Sequence, residues 1–132
     1  MEIISRQDAI HKEKPDGTRV DYYLQPEYEL HYNEIPGGTV QEWHSHTTVE
    51  ELVFMIDGSL EIKWMEEEKE RRETVQKGDL IRVENNLHTF ANTDNKTASF
   101  VVIKLVLSGN NNSQIFKDDK VPAKSTKNAQ GN

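Results

Sequence analysis

"GGTVQEWHSHTTVEELVFMIDGSLEIKW", residues 37–64, sets two histidines one residue apart, then two adjacent carboxylates, then an apolar run. Side chains of a strand point alternately to its two faces. If Val40–His46 is a strand, His44 and His46 share a face with Val40 and Glu42. "TTV" (residues 47–49) is short enough for a hairpin turn, so Glu50–Ile56 would run back beside that strand. Glu51, Val53 and Met55 then share one face, and Glu50, Leu52, Phe54 and Ile56 the other. With Glu51 facing the histidines, three ligand-bearing side chains converge near the end of the hairpin. Imidazole and carboxylate together suit a first-row divalent ion. A fourth ligand has to come from elsewhere, and the candidate is His88 in "VENNLHTFAN" (residues 83–92), where another strand begins.

Outward from this stretch, apolar residues alternate or form short β-branched runs between turn signals, which is the pattern of strands. "KPDGT" (residues 14–18) predicts a hairpin between Asp8–Glu13 and Arg19–Leu24. A strand over Tyr28–Ile35 ends at "PGG". Beyond the opening stretch come Ser59–Met65, Asp79–Val83, Thr89–Ala91 and Ser99–Leu107. "EEEKERRE" (residues 66–73) is helix-like but has no apolar stripe to bury. It lies between two strand candidates and is expected as a solvated hairpin arm or loop. Many short strands in one small domain predict an all-β sandwich or barrel. After Leu107 the chain turns polar, and the last roughly ten residues are expected to be disordered.

Composition narrows the chemistry. The 132 residues fit one domain. A formal net charge of −7 argues against coating nucleic acid or an anionic membrane. The absence of cysteine rules out disulfides, thiolate metal sites and cysteine nucleophiles. The N-terminus has no apolar stretch of signal-peptide type, and no run has the length of a membrane helix, so the expected location is cytoplasmic.

The spacing carries a resemblance. Gly38 is followed by five residues, His44 and His46 are separated by one, four more lead to Glu51, and six more to Gly58. This resembles the first motif of the cupin family. "GDLIRVENNLHTFAN" (residues 78–92) resembles the second, with Gly78, His88 and Asn92 in place. Glu84 stands where proline is usual, Asn86 replaces glycine, and the segment is one residue short. Asparagine tolerates left-handed backbone, so the Asn85–Asn86 pair is expected to make the turn.

The resemblance implies a single-domain, jelly-roll β-barrel. Residues 35–107 would form its core, 1–34 would be strands packing on the barrel or a partner subunit, and 108–132 would be an arm and tail. It also implies a metal (iron, manganese, nickel or zinc) held by His44, His46, Glu51 and His88 inside the barrel.

Open coordination positions would suit a metalloenzyme acting on a small oxygenated molecule, as dioxygenase, isomerase or lyase. The alternative is a non-catalytic module that binds or senses a small ligand. Glu42 is a candidate general base, or an exposed carboxylate at a strand edge. Val53 and Met55 would continue the pocket wall beneath the metal. Trp64 and Phe90 would be pocket wall or plain core. Lys104, in the apolar "FVVIKLVL" (residues 100–107), would be a Schiff-base lysine or, as expected for such a position, a snorkelling one. His11 and His31 are read as hydrogen-bonding or surface residues. Glu50–Ile56 is apolar on both faces, so one face needs a cover, and a homodimer is expected.

Overall fold

Glu51, Val53 and Met55 are buried, while Phe54 and Ile56 on the other face are exposed. That alternation defines β4 (Glu50–Asp57) as a strand with its back to a core. The structure, a computed structural model, describes residues 1–123. Ahead of β4 come β1 (Ile10–Glu13), β2 (Arg19–Leu24) and β3 (Tyr28–Ile35). After it come β5 (Ser59–Glu66), β6 (Lys69–Gln76), β7 (Leu80–Arg82), β8 (His88–Ala91) and β9 (Ala98–Leu105), then one short helix, α1 (Ser113–Asp118).

Two antiparallel sheets enclose the core, as the jelly-roll expectation requires. The larger runs β1-β2-β3-β9-β4-β7 and the smaller β6-β5-β8. Ile35, Val53, Met55, Phe100 and Val102 from the first pack against Leu60, Ile62 and Phe90 from the second. The strands of residues 1–34 are hydrogen-bonded into the larger sheet through β3 and β9. The chain changes sheets at Gly58, between β4 and β5. Its φ of +76 is costly for other residues, and a Cβ there would lie 3.0 Å from Ala98 Cα.

Three expectations are corrected. Val40–His46 is not a strand but two isolated bridges, Val40 to Ala91 and His44 to His88. Four steps of chain on one side oppose three on the other, so one extra residue breaks the ladder, as in a bulge. The segment also does not form a hairpin with β4. It lies against β8 in the smaller sheet, through Gln41 N–H to Phe90 O and a reciprocal pair between His44 and His88, while β4 pairs with β7 and β9. Finally, the left-handed residue of the β7–β8 turn is Glu84, with φ +57, and not an asparagine. Its N–H donates to Glu50 Oε1 at 3.1 Å, which holds the strained backbone.

Residues 66–73 are mostly strand: β6 pairs with β5 along its whole length as a charged outer arm. The outer position explains why it carries no apolar stripe. The expected disordered tail lies outside the described residues, apart from the exposed α1 that precedes it.

Candidate metal centre

His44 and His88 meet because their backbones pair directly, which brings the rings to 4.3 Å between centroids. His46, two residues on, follows at 5.3 Å from His44. Glu51 arrives from the opposite sheet, and its Oε2 lies 2.6 Å from His46 Nε2. One ligand atom from each of His44, His46, Glu51 and His88 lies within 4.8 Å of all the others. The four therefore converge from two sheets, not from one hairpin.

The donor atoms could hold an ion. His44 Nδ1 donates to the Glu42 carbonyl at 2.9 Å and His88 Nδ1 to the Asn86 carbonyl at 2.8 Å. Those bonds fix the tautomer and leave each Nε2 as the free lone pair, the arrangement typical of ligating histidines. His46 Nε2 and His88 Nε2 are buried without a hydrogen-bond partner among the described residues. The 2.6 Å approach of Glu51 to His46 is thus a close contact without hydrogen-bond geometry, as between two groups aimed at a shared third partner. Orphaned buried nitrogens are rare and costly. Three imidazoles and a carboxylate could hold a divalent transition metal, so the residues present fit the group.

Burial, reinforced by the neighbouring His44 and His46, pushes the His88 pKa below its ordinary value, against the opposing pull of the Asn86 carbonyl and Glu51. This favours the neutral, ligating imidazole. The anchors of the β8 segment are equally specific. Thr89 Oγ1 donates to Gln41 O at 2.5 Å. Asn92 Nδ2 donates to Ile35 O and Lys96 O at 2.9 and 2.7 Å.

Two openings reach the cluster. One, of about 740 Å³, is lined by His88, Phe90, Trp64 and Ile62. The other, of about 630 Å³, is lined by His44, His46, Glu42 and Lys104. Glu42 is exposed there. Val53 and Met55 are fully buried in the core beneath Glu51 on the same strand face.

His31, expected as a hydrogen-bonding or surface residue, is a hydrogen-bonding residue on the inner face. It is 8% exposed, packs edge-on against Tyr22 at 4.5 Å and pairs through Nε2 with Glu29 at 2.9 Å. Burial lowers its pKa, with Glu29 opposing. Its alternation with Asn33 and Ile35 was the available signal, but the strand's partners were not known. His11 is a surface residue bonded to Asp21, whose carboxyl it holds below the usual range.

The family model described as a cupin domain matches residues 31–104, more than half of the chain. The chain belongs to the cupin family. Among curated proteins, none is similar enough in sequence to match this cupin. Solved structures are similar in fold. Drosophila melanogaster CENP-C bound to CAL1 superposes with a TM-score of 0.69 at 18% identity, covering 77% of this chain and 80% of that one. A deletion mutant of Bacillus subtilis oxalate decarboxylase gives 0.68 at 19% identity, covering 82% of this chain and 30% of that one. FeII HppE gives 0.65 at 13%, covering 80% and 60%. The chain thus spans under a third of the decarboxylase. None of the described helices is long and apolar enough to cross a membrane.

Proposed function

We propose that this cupin binds a divalent transition metal (iron, manganese, nickel or zinc) through His44, His46, Glu51 and His88 and is a metalloenzyme acting on a small oxygenated metabolite. The reaction would be of dioxygenase, isomerase or lyase type. The observation that carries the reading is the pair of buried, partnerless Nε2 atoms on His46 and His88 beside the Glu51 carboxylate. A bound ion supplies Lewis acidity toward a substrate oxygen. The chain's own residues supply the rest. The Glu42 and Asn86 carbonyls hold two imidazoles in one tautomer. Trp64 and Phe90 form an apolar wall beside His88. Glu42, exposed in the other opening, is the carboxylate placed to take or return a proton. The apolar outer face of the larger sheet supports a homodimer.

Elemental analysis of protein purified without chelators tests the site. Near-stoichiometric metal is expected in the parent, and its loss in His46→Ala and in His88→Ala. Full retention of metal in both variants contradicts the proposal.

A further inference from the structure

At the mouth of the larger sheet, Glu29, Lys104 and Glu51 stand directly opposite one another on β3, β9 and β4. Residues opposite each other on adjacent strands project to the same face, so Lys104 is flanked by two carboxylates. Both are engaged elsewhere. The Glu29 carboxylate pairs with His31 Nε2 at 2.9 Å, and Glu51 lies against His46 at 2.6 Å. Among the described residues Lys104 Nζ has no ion-pair partner. Its side chain lines the 630 Å³ opening with His44 and His46. The ammonium also helps to lower the His31 pKa, so its charge is felt inside the sheet.

A snorkelling lysine would carry its charge out to water. Lys104 lines the opening that His44 and His46 also line, where an ammonium without an ion-pair partner is available to an anion. The other charged groups of the opening are Lys14, Asp16 and Glu42. The two lysines and the two carboxylates cancel, and a divalent ion with Glu51 leaves one net positive charge. Lys104 is the lysine in the strand directly opposite Glu51, whereas Lys14 sits on the β1–β2 turn.

We infer that Lys104 is a specificity-determining residue that pairs with the carboxylate of a small organic acid bound beside the ligand cluster. The inference rests on the metal reading above. It selects carboxylic acids over neutral hydroxy or carbonyl compounds of the same shape.

Calorimetric titration of zinc-loaded protein with glycolate and with its neutral isostere glycolamide tests it. The parent is expected to prefer glycolate by about tenfold or more, the scale of one charge-assisted hydrogen bond. Lys104→Met should lower that preference by about tenfold while zinc is still bound and glycolamide binding is unchanged, and Lys104→Arg should retain it. If Lys104→Met does not fold, Lys104→Gln carries the same comparison. A parent that shows no preference, or a Lys104→Met protein whose preference for glycolate equals the parent's, overturns the inference. So does an equal loss of both probes, which would mark Lys104 as merely structural. If the parent takes up no zinc, the metal reading fails and the inference with it. Zinc uptake without discrimination overturns the role of Lys104 alone.

Discussion

Glu50 and Glu51 are neighbours with opposite duties. Glu51 faces inward and joins the histidine cluster, while Glu50 accepts from Glu84 N–H at 3.1 Å and from Arg82 at 3.2 Å. Glu50 is 8% exposed, so these partners replace water for a buried carboxylate. They also hold the left-handed Glu84. Glu50→Gln should destabilise the protein by about 1–2 kcal/mol, the worth of a charge-assisted hydrogen bond to a buried group. It should also weaken zinc binding, because the Glu84 turn leads into His88. Thermal melts without metal and zinc titrations check both, and parent-like values in each would show that the turn stands without Glu50. The spacing of His44, His46, Glu51 and His88 was legible in the sequence. The Glu50–Glu84 contact was not, because it joins residues far apart in the chain and no local pattern marks glutamate for a positive φ.

Among the elements, the β5–β6 hairpin carries an avoidable cost. Glu66 pairs with Lys69, so Glu67 and Glu68 are the two turn residues, and both have positive φ (51 and 64). A two-residue loop with both residues left-handed is the type I′ turn, which favours asparagine and glycine. Glu67→Asn combined with Glu68→Gly should stabilise the protein by about 1–2 kcal/mol, the order of the left-handed penalty for ordinary residues. It also removes like charges beside Glu66. An unchanged or lower melting temperature would count against this account. The element-level misreading was Val40–His46. Its alternation suggested a regular strand, but one extra residue opposite β8 interrupts the ladder. Periodicity cannot report such an interruption, since it depends on which strand lies alongside.

At the scale of the whole molecule, the larger sheet is apolar on its outer face as well as its inner one. Phe54 pairs with Leu80 on one side and Val101 on the other, and Val101 with Tyr32. Phe54 and Leu80 are 42% and 60% exposed. Ile103 adds to the same face between Leu52 and Leu30. A contiguous apolar patch of this kind calls for a cover, and the proposed homodimer would supply it by placing a second copy there through two-fold symmetry. Sedimentation at micromolar concentration should show a dimer, and Phe54→Glu with Leu80→Glu should give a folded monomer. A monomeric parent would contradict the proposal.

Local pattern was enough for the strand class, most strand positions, the turn glycines and the two motif spacings. These follow from nearest-neighbour sterics and from the two-residue repeat of a strand. Tertiary structure alone decided that the histidines pair with β8 and not with β4, that Glu51 reaches them from the opposing sheet, and that His31 and Lys104 sit on the inner face. Those placements depend on which strands lie side by side, and that is settled when the two sheets close on a shared core.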